Sequence, residues 1–541
     1  VPISTGSSQK QLYNLRPVVL LLLGVRVPQY EHFKRSRYES EVIKITTHQL
    51  PLKLIMTLLD DNLLALGPNL SPDNSLFTSW HDLDWKRIES QVKKLRRRIY
   101  SAKCRGDKKN LAKIQRLTVN SSCNLLSSIR RVTSTSSGKW TSGPDSLRYL
   151  TPASRMALFH ELQKINLNEW AASPVTRIYI PKPDGRKRPL GIPNIKERVL
   201  QGVILNALEP EWEAVFEPTS YGFRPGKTVW DATHRIYTNL TRKDRLWVVE
   251  ADIKGCFDNI DHTYLSNKLS RFPFSNVLIQ WLKAGILDEG MLFPTELGTP
   301  QGGVISPLLC NIALDGIEAE LGIKRNSQDS ITKALNPRNR TLVRYADDFI
   351  VLCPTEAEAK QTCLDLIPIL AKRGLQLSEA KTKITHTFDG FDFLGFTFRH
   401  FVLPQYAKNF GRATCTNSVP KELAGMVSTN VVTSKNSVLT MSAKLNLIFH
   451  KHRGKPASQL IKTLNPVIRG YANSKRVHSC TRAMRSLDHQ LFKLQLAWMR
   501  RSHPKKSRDW TIEKYFTHYR SYFIDNKWTF RCPVTNIICQ Q

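Results

Sequence analysis

The sequence predicts an α+β protein in which a mixed domain with an antiparallel sheet is followed by a small helical bundle. Three observations predict it. From about residue 172 to 400, β-like apolar runs alternate with helical ones. From 433 to 510 the apolar residues recur at helical spacing instead. Between the runs Thr341-Leu342-Val343 and Phe349-Ile350-Val351-Leu352 stands Tyr345-Ala346-Asp347-Asp348, the pattern of a tight turn between two strands.

A chain of 541 residues is long enough for about three or four domains with cores of their own. Residues 1–74 are mixed in pattern and close on Gly67-Pro68-Asn69-Leu70-Ser71-Pro72-Asp73-Asn74, so they read as an extension of unassigned role ending in a linker. Residues 75–150 read as a helical lead-in segment. There Ile88, Val92, Leu95 and Ile99 form an amphipathic stripe, and Lys93, Lys94, Arg96, Arg97 and Arg98 occupy the other faces. Such a face is commonly just solvated, but cations this dense are expected to contact phosphates. Residues 151–400 form the mixed domain: Arg177-Ile178-Tyr179-Ile180 is a strand ending at Pro181, and Leu246 to Ile253 is a buried strand delivering Asp252 at its end. Residues 401–432, polar and rich in Thr and Asn, read as a linker or insertion. Residues 433–510 carry two helical stripes, Leu460-Leu464-Ile468-Tyr471 and Leu487-Leu491-Leu494-Trp498, and 511–541 are left as a short tail. No internal repeat or long low-complexity tract is evident.

Lys and Arg total 80 against 45 Asp and Glu, a net charge of +35. An excess of this size suits a polyanionic partner, because neutralising phosphates releases condensed counterions. The ten cysteines are scattered without a C-x-x-C pair, which indicates a reducing compartment rather than a disulfide framework. Cys532 and Cys539 would make only half of a metal site, since no further His or Cys follows. The longest apolar run, Val18 to Val25, is too short to span a bilayer, so a soluble protein without a membrane partner is expected. Because the chain begins with Val, it reads as a processed product or as a frame continuous with something upstream.

Adjacent carboxylates at an exposed turn often do nothing but meet solvent. Phosphoryl transfer to a 3′ hydroxyl, however, needs carboxylates from separate segments to hold two magnesium ions about 4 Å apart. Asp252, Asp347 and Asp348 supply that set, with Asp252, Asp347 and the backbone carbonyl of Ile253 as the metal ligands. Manganese is an expected substitute.

Around this acidic set lies an ordered series of motifs. Ile180-Pro181-Lys182-Pro183-Asp184-Gly185-Arg186-Lys187-Arg188-Pro189-Leu190-Gly191 is followed by Ser220-Tyr221-Gly222-Phe223-Arg224-Pro225-Gly226 and Ala251-Asp252-Ile253-Lys254-Gly255-Cys256-Phe257-Asp258. Then come Gly298-Thr299-Pro300-Gln301-Gly302-Gly303, the Asp347-Asp348 turn, Lys381-Thr382-Lys383 and Phe393-Leu394-Gly395-Phe396. In this order they resemble the reverse transcriptases encoded by group II introns, over roughly residues 75–530. The stretch Leu464-Asn465-Pro466-Val467-Ile468-Arg469-Gly470-Tyr471-Ala472-Asn473 is similar to the thumb or maturase region, domain X, of that family.

The resemblance implies a right-hand polymerase fold, with fingers and palm followed by an α-helical thumb. It implies Asp252, Asp347 and Asp348 as catalytic residues. Lys182 and Arg188 would bind the incoming triphosphate, Phe257 would exclude a 2′ hydroxyl, Gln301 would lie near the template-primer pair, and Lys381 would lie near the leaving phosphates. Partners would be the host intron RNA, an RNA template with primer and deoxynucleoside triphosphates; a homodimer is compatible. A second basic cluster, Arg500, Arg501, Lys505 and Lys506, is expected on the RNA.

Two departures stand out. The family's Pro-Gly-Val-Asp appears as Ser142-Gly143-Pro144-Asp145, and no His-Asn-His endonuclease is expected before Gln541. The function read from the sequence is therefore RNA-directed DNA synthesis combined with maturation of the host intron. Its rivals are a splicing-only maturase and an RNA-dependent RNA polymerase. An organelle is the expected compartment, with a bacterial cytoplasm as the alternative.

Overall fold

The structure, a computed structural model, describes residues 79–181, 185, 187–299, 301–324, 336–403, 405, 419, 425–521, 524–535 and 538–539. The extension at 1–74 and most of the 401–432 segment lie outside them.

Four helices open the described chain: α1 (Trp85–Cys104), α2 (Lys108–Val119), α3 (Ser122–Arg130) and α4 (Pro152–Gln163). Asp84 caps α1 by accepting the Arg87 N–H at 3.1 Å, and Thr151 with Ser154 forms a capping box on α4. Ile88, Val92 and Ile99 are buried as the helical spacing requires, and α1, α2 and α3 pack on α5 (Ile195–Glu213).

The next sheet has the order β2-β1-β4-β5. It comprises β1 (Val175–Pro181), β2 (Lys187–Ile192), β4 (Ile286–Asp288) and β5 (Met291–Phe293). Its β1–β4 contact is parallel and the others antiparallel.

A second, wholly antiparallel sheet, β6-β7-β3-β8, lies at the centre. It is built from β3 (Trp247–Asp252), β6 (Thr341–Tyr345), β7 (Asp348–Cys353) and β8 (Lys383–His386). Both its faces are covered. Trp247, Val249, Ala251, Phe349 and Val351 join the large core beneath the helices, whereas Val248, Val343, Ile350 and Leu352 face a second cluster. That second cluster is closed by α6 (Val229–Leu240) and by Phe391, Phe396, Phe398 and Val431. Alternation along one strand into two separate cores is what a period of two residues dictates when neither face is wet.

The helices α7 (Cys256–Asn259), α8 (His262–Leu269), α9 (Ser275–Lys283), α10 (Ser306–Leu314), α11 (Ile317–Glu320) and α12 (Glu356–Ala371) complete this part.

A third sheet, β11-β10-β9, joins β9 (Phe391–Phe393), β10 (Phe396–Val402) and β11 (Val427–Thr433). Strands β10 and β11 pair over seven residues, from Phe396↔Thr433 to Val402↔Val427. Both ends of the segment read as a linker are thus strand, because Val427 and Val431 are buried apolar positions at a spacing of four.

The bundle follows: α13 (Lys435–Lys451), α14 (Ala457–Lys475) and α15 (Thr481–Ser502). Its attachment to the central part is polar and specific. Lys475 Nζ donates to the Gly395 carbonyl at 2.9 Å and lies 4.2 Å from the Phe396 ring centroid. Trp230 Nε1 donates to the Ser474 carbonyl at 3.0 Å, and His478 Nε2 lies 2.9 Å from the Thr233 hydroxyl.

Residues 511–541 are not merely a tail. The helix α16 (Arg508–Tyr515) leads into the hairpin β12 (Phe516–Ser521) and β13 (Ile524–Phe530). Phe516, Phe530, Cys532 and Cys539 are buried in the core of the bundle. Phe530 is 0% exposed, with its ring against those of Tyr515, Phe516 and Trp498. Its replacement by Ala should cost about 3–5 kcal/mol and lower the denaturation midpoint of the bundle. An unchanged midpoint in a guanidinium titration would make the hairpin dispensable.

Candidate active site

The acidic residues meet through strand register. Asp252, the last residue of β3, is the cross-strand partner of Asp348, the first of β7, and Asp348 also pairs with Tyr345 of β6. Directly opposed residues project to the same face of a sheet, so Asp252 and Asp348 stand side by side. Asp347 lies in the two-residue turn between β6 and β7. Its neighbour Ala346 has φ +59°, which a hairpin turn this short favours.

The charge is poorly compensated. Burial, then repulsion from Asp347 and Asp252, raises the Asp348 carboxyl to about 6, with Lys381 opposing. Lys381 Nζ lies 2.9 Å from Asp252 Oδ2. The segment bearing it is docked by Ser378 N–H on the Asp252 carbonyl at 2.8 Å and by Lys254 N–H on the Gln376 carbonyl at 2.9 Å. Half exposed at Lys381, this ion pair adds little stability.

The remaining sequence-predicted residues divide. Phe257 is half-buried on α7, five residues after Asp252, and meets Phe223 edge-to-face at 6.3 Å between ring centroids. Gln301 Nε2 donates to Asp258 Oδ2 at 3.2 Å, and its carbonyl accepts the Gly191 N–H at 2.8 Å. A Cβ on Gly302, at φ +133°, would sit 2.5 Å from the Gly191 carbonyl oxygen. The loop thereby ties β2 to α7. Arg188 is exposed on β2 opposite Ile180, and Lys182 lies outside the described residues.

Of the first basic cluster, Lys93, Lys94, Arg97 and Arg98 are exposed. Arg96 is a correction. One helical turn after buried Val92, it faces α5, where it pairs with Glu209 and donates to Asn206 Oδ1 at 2.9 Å. It is committed to holding two helices together. Arg500, Arg501, Lys505 and Lys506 are exposed at and just beyond the end of α15, and Lys506 lies 5.3 Å from the Trp510 ring centroid.

The sequence motifs contained Ser220-Tyr221-Gly222-Phe223-Arg224 without assigning it a task. In the structure the segment runs beside β6 and abuts the turn: a Cβ on Gly222 would stand 2.3 Å from Ala346 N. Arg224 staples it by donating to the Glu217 and Ser220 carbonyls at 2.8 and 2.9 Å. A groove of about 790 Å³ lies elsewhere, between the Leu394 turn and helices α13 and α14, and is lined by none of the three carboxylates.

Three family descriptions match successive parts of the chain. Residues 80–162 match the family "N-terminal domain of reverse transcriptase", residues 180–398 match "Reverse transcriptase (RNA-dependent DNA polymerase)", and residues 438–516 match "Group II intron, maturase-specific domain". Protein YkfC of Escherichia coli (strain K12) is 32% identical over 55% of this chain and 85% of its own length. The group II intron-encoded protein LtrA of Lactococcus lactis subsp. cremoris is 33% identical over 44% of this chain and 49% of its own. An uncharacterized 91 kDa protein in the cob intron of Schizosaccharomyces pombe is 28% identical over 58% of this chain and 44% of its own.

Fold and site together define a polymerase of the reverse transcriptase class. The chain belongs to the group II intron-encoded reverse transcriptases, in which an RNA-directed DNA polymerase domain precedes an intron maturase domain. It spans about half the length of LtrA and of the Schizosaccharomyces pombe protein.

The raised Asp348 has a consequence for stability. The folded protein holds that proton more tightly than the unfolded chain, whose aspartates titrate near 3.8. Stability should therefore fall as pH rises from about 3.8 through about 6, and stay lowered above it. In chelator at pH 8, Asp348→Asn should melt above the parent, and the difference should vanish below about pH 4. Melting curves at the two pH values check this; equal melting at pH 8 would mean that folding does not raise the Asp348 carboxyl.

Proposed function

We propose that this protein copies RNA into DNA at the Asp252, Asp347 and Asp348 site and, through its basic surfaces, binds its host intron RNA and promotes its splicing. The observation that carries the reading is the pairing of Asp252 with Asp348 beside Asp347 at the turn. In this reading the β2-β1-β4-β5 sheet is the fingers, the central sheet the palm, and α13–α15 the thumb.

The donor set fits magnesium or manganese, because carboxylates are hard oxygen ligands. Among the described residues no three metal-binding side chains converge closely enough to hold an ion alone. Asp252, Asp347 and the Ile253 carbonyl would hold the ions. When bound, the ions lower the proton affinity of the 3′ hydroxyl and offset charge on the phosphorus and the leaving pyrophosphate.

The chain's own residues prepare the site. Lys182 and Arg188 attract the triphosphate, and Lys381 moves from Asp252 to a phosphate oxygen. Phe257, braced by Phe223, excludes a 2′ hydroxyl. Lys93, Lys94, Arg97 and Arg98 on α1 and the Arg500 to Lys506 cluster follow RNA phosphates, with affinity set by counterion release. Splicing is assisted because binding favours the folded intron. Relatives occur in bacteria and in eukaryotes, and an organellar site of action is the preferred reading.

Asp347→Asn should reduce DNA synthesis at least about 100-fold while leaving intron binding and splicing support intact. Primer extension and filter binding on the same preparation check it; a variant that binds the intron normally yet fails to promote splicing would refute the division of labour. Neutralising Arg500, Arg501, Lys505 and Lys506 should weaken intron binding and flatten its log-log salt dependence by roughly one unit for each phosphate no longer neutralised. Nucleotide choice separates the rivals: extension with ribonucleotides alone would favour an RNA polymerase, and no extension would favour a splicing-only maturase.

A further inference from the structure

Strand β6 carries Arg344 among buried apolar neighbours, and its side chain is 0% exposed. Nη1 donates to Asn311 Oδ1 at 3.1 Å and to the Ala346 carbonyl at 3.4 Å. Asn311, on α10, donates through Nδ2 to the Gly222 carbonyl at 2.8 Å. The backbone of Arg344 is held too: its N–H donates to the Thr219 carbonyl and its own carbonyl accepts the Tyr221 N–H, both at 2.9 Å. Ala346 is thus gripped from two sides, by Gly222 against its nitrogen and by the guanidinium at its carbonyl oxygen. Its left-handed φ of +59° is one that alanine keeps where the surroundings over-determine it.

Stability alone does not account for this cation. Removing a guanidinium from water offsets most of its attraction to nearby carboxyls, so an apolar residue of similar size would serve the core as well. Burial pushes the Arg344 pKa down, with Glu217 opposing most strongly. Burial likewise raises the Glu217 carboxyl to about 7. What the guanidinium supplies is direction. The Ala346 carbonyl and the Asp347 N–H belong to one planar peptide unit, so holding the oxygen sets the direction in which Asp347 leaves the turn.

We propose that Arg344 is a positioning residue for nucleotidyl transfer, which fixes the Ala346–Asp347 peptide from beneath and thereby aims the Asp347 and Asp348 carboxylates toward Asp252. This rests on the reading of those carboxylates as the catalytic, metal-holding set. Arg344 touches neither substrate nor metal; it acts through the turn.

Primer extension across a magnesium series tests the assignment. Arg344→Met should lower kcat about 100-fold, the scale of a small misplacement of reacting groups. It should also raise the magnesium concentration for half-maximal rate and leave KM for primer-template unchanged. Arg344→Lys, which keeps the charge but not the Nη1 position that reaches both Asn311 and the Ala346 carbonyl, should fall between. Arg373 is the control: also 0% exposed, it donates to the Ala313, Ile369 and Asp315 carbonyls rather than to the turn. Arg373→Met should lower the melting temperature without moving the magnesium half-saturation. If Arg344→Met does not fold, Asn311→Ala replaces it, with a smaller shift in the same direction expected. Unchanged magnesium dependence in a folded variant, or an equal shift in Arg373→Met, would overturn the positioning role. An active Asp347→Asn enzyme would instead overturn the reading of the carboxylates on which it rests.

Discussion

The antiparallel register of β3 against β7 is the constraint on which the site depends. It sets two carboxylates directly opposite each other, an arrangement that like charges oppose by up to about 1 kcal/mol. The sheet can bear it because Val248, Val249, Ile350 and Val351 are buried on its two faces. A slip of one residue would send every β3 side chain into the wrong core. Apolar packing on both faces therefore holds the charged end of the sheet in its uncomfortable alignment, and the repulsion is available to be relieved by a cation.

The sequence disclosed those parts of the molecule that follow from local rules. The buried strand ending at Asp252, the hairpin at Asp347 and the stripes Ile88 to Ile99 and Leu487 to Trp498 each rest on spacing, and the structure places them accordingly. What escaped depends on contacts distant in the chain. Arg96 looked like one cation among five until its partner Glu209, more than a hundred residues away, came to lie beside it. The hairpin after Tyr515 has little apolar repetition of its own, and its order comes from Phe516 and Phe530 entering a core built by other helices. Arg344 did leave a trace, since a charged residue inside a fully buried strand is rare, but its neighbour Asn311 could not be found from spacing.

Charge is distributed unevenly across this strongly basic chain. Cations inside the protein, such as Arg96, Arg224, Arg344 and Arg373, are engaged with carboxylates or backbone carbonyls. Those at Lys93, Lys94, Arg97, Arg98, Arg500 and Arg501 remain at the surface. In the proposed reading their shared sign makes the affinity for RNA a function of salt, whereas the internal cations are screened far less.

The pairing of β10 with β11 and the contacts around Lys475 give the chain one more property. The residues matched to the polymerase family end at 398 and those matched to the maturase family begin at 438. The two parts are nevertheless joined by a seven-residue strand ladder and by Lys475 on the Gly395 carbonyl. A backbone cut between the two strands would leave both sets of contacts in place. Gly395 and Lys475 would then stand on opposite sides of the cut, held together by the ladder and that hydrogen bond rather than by the chain.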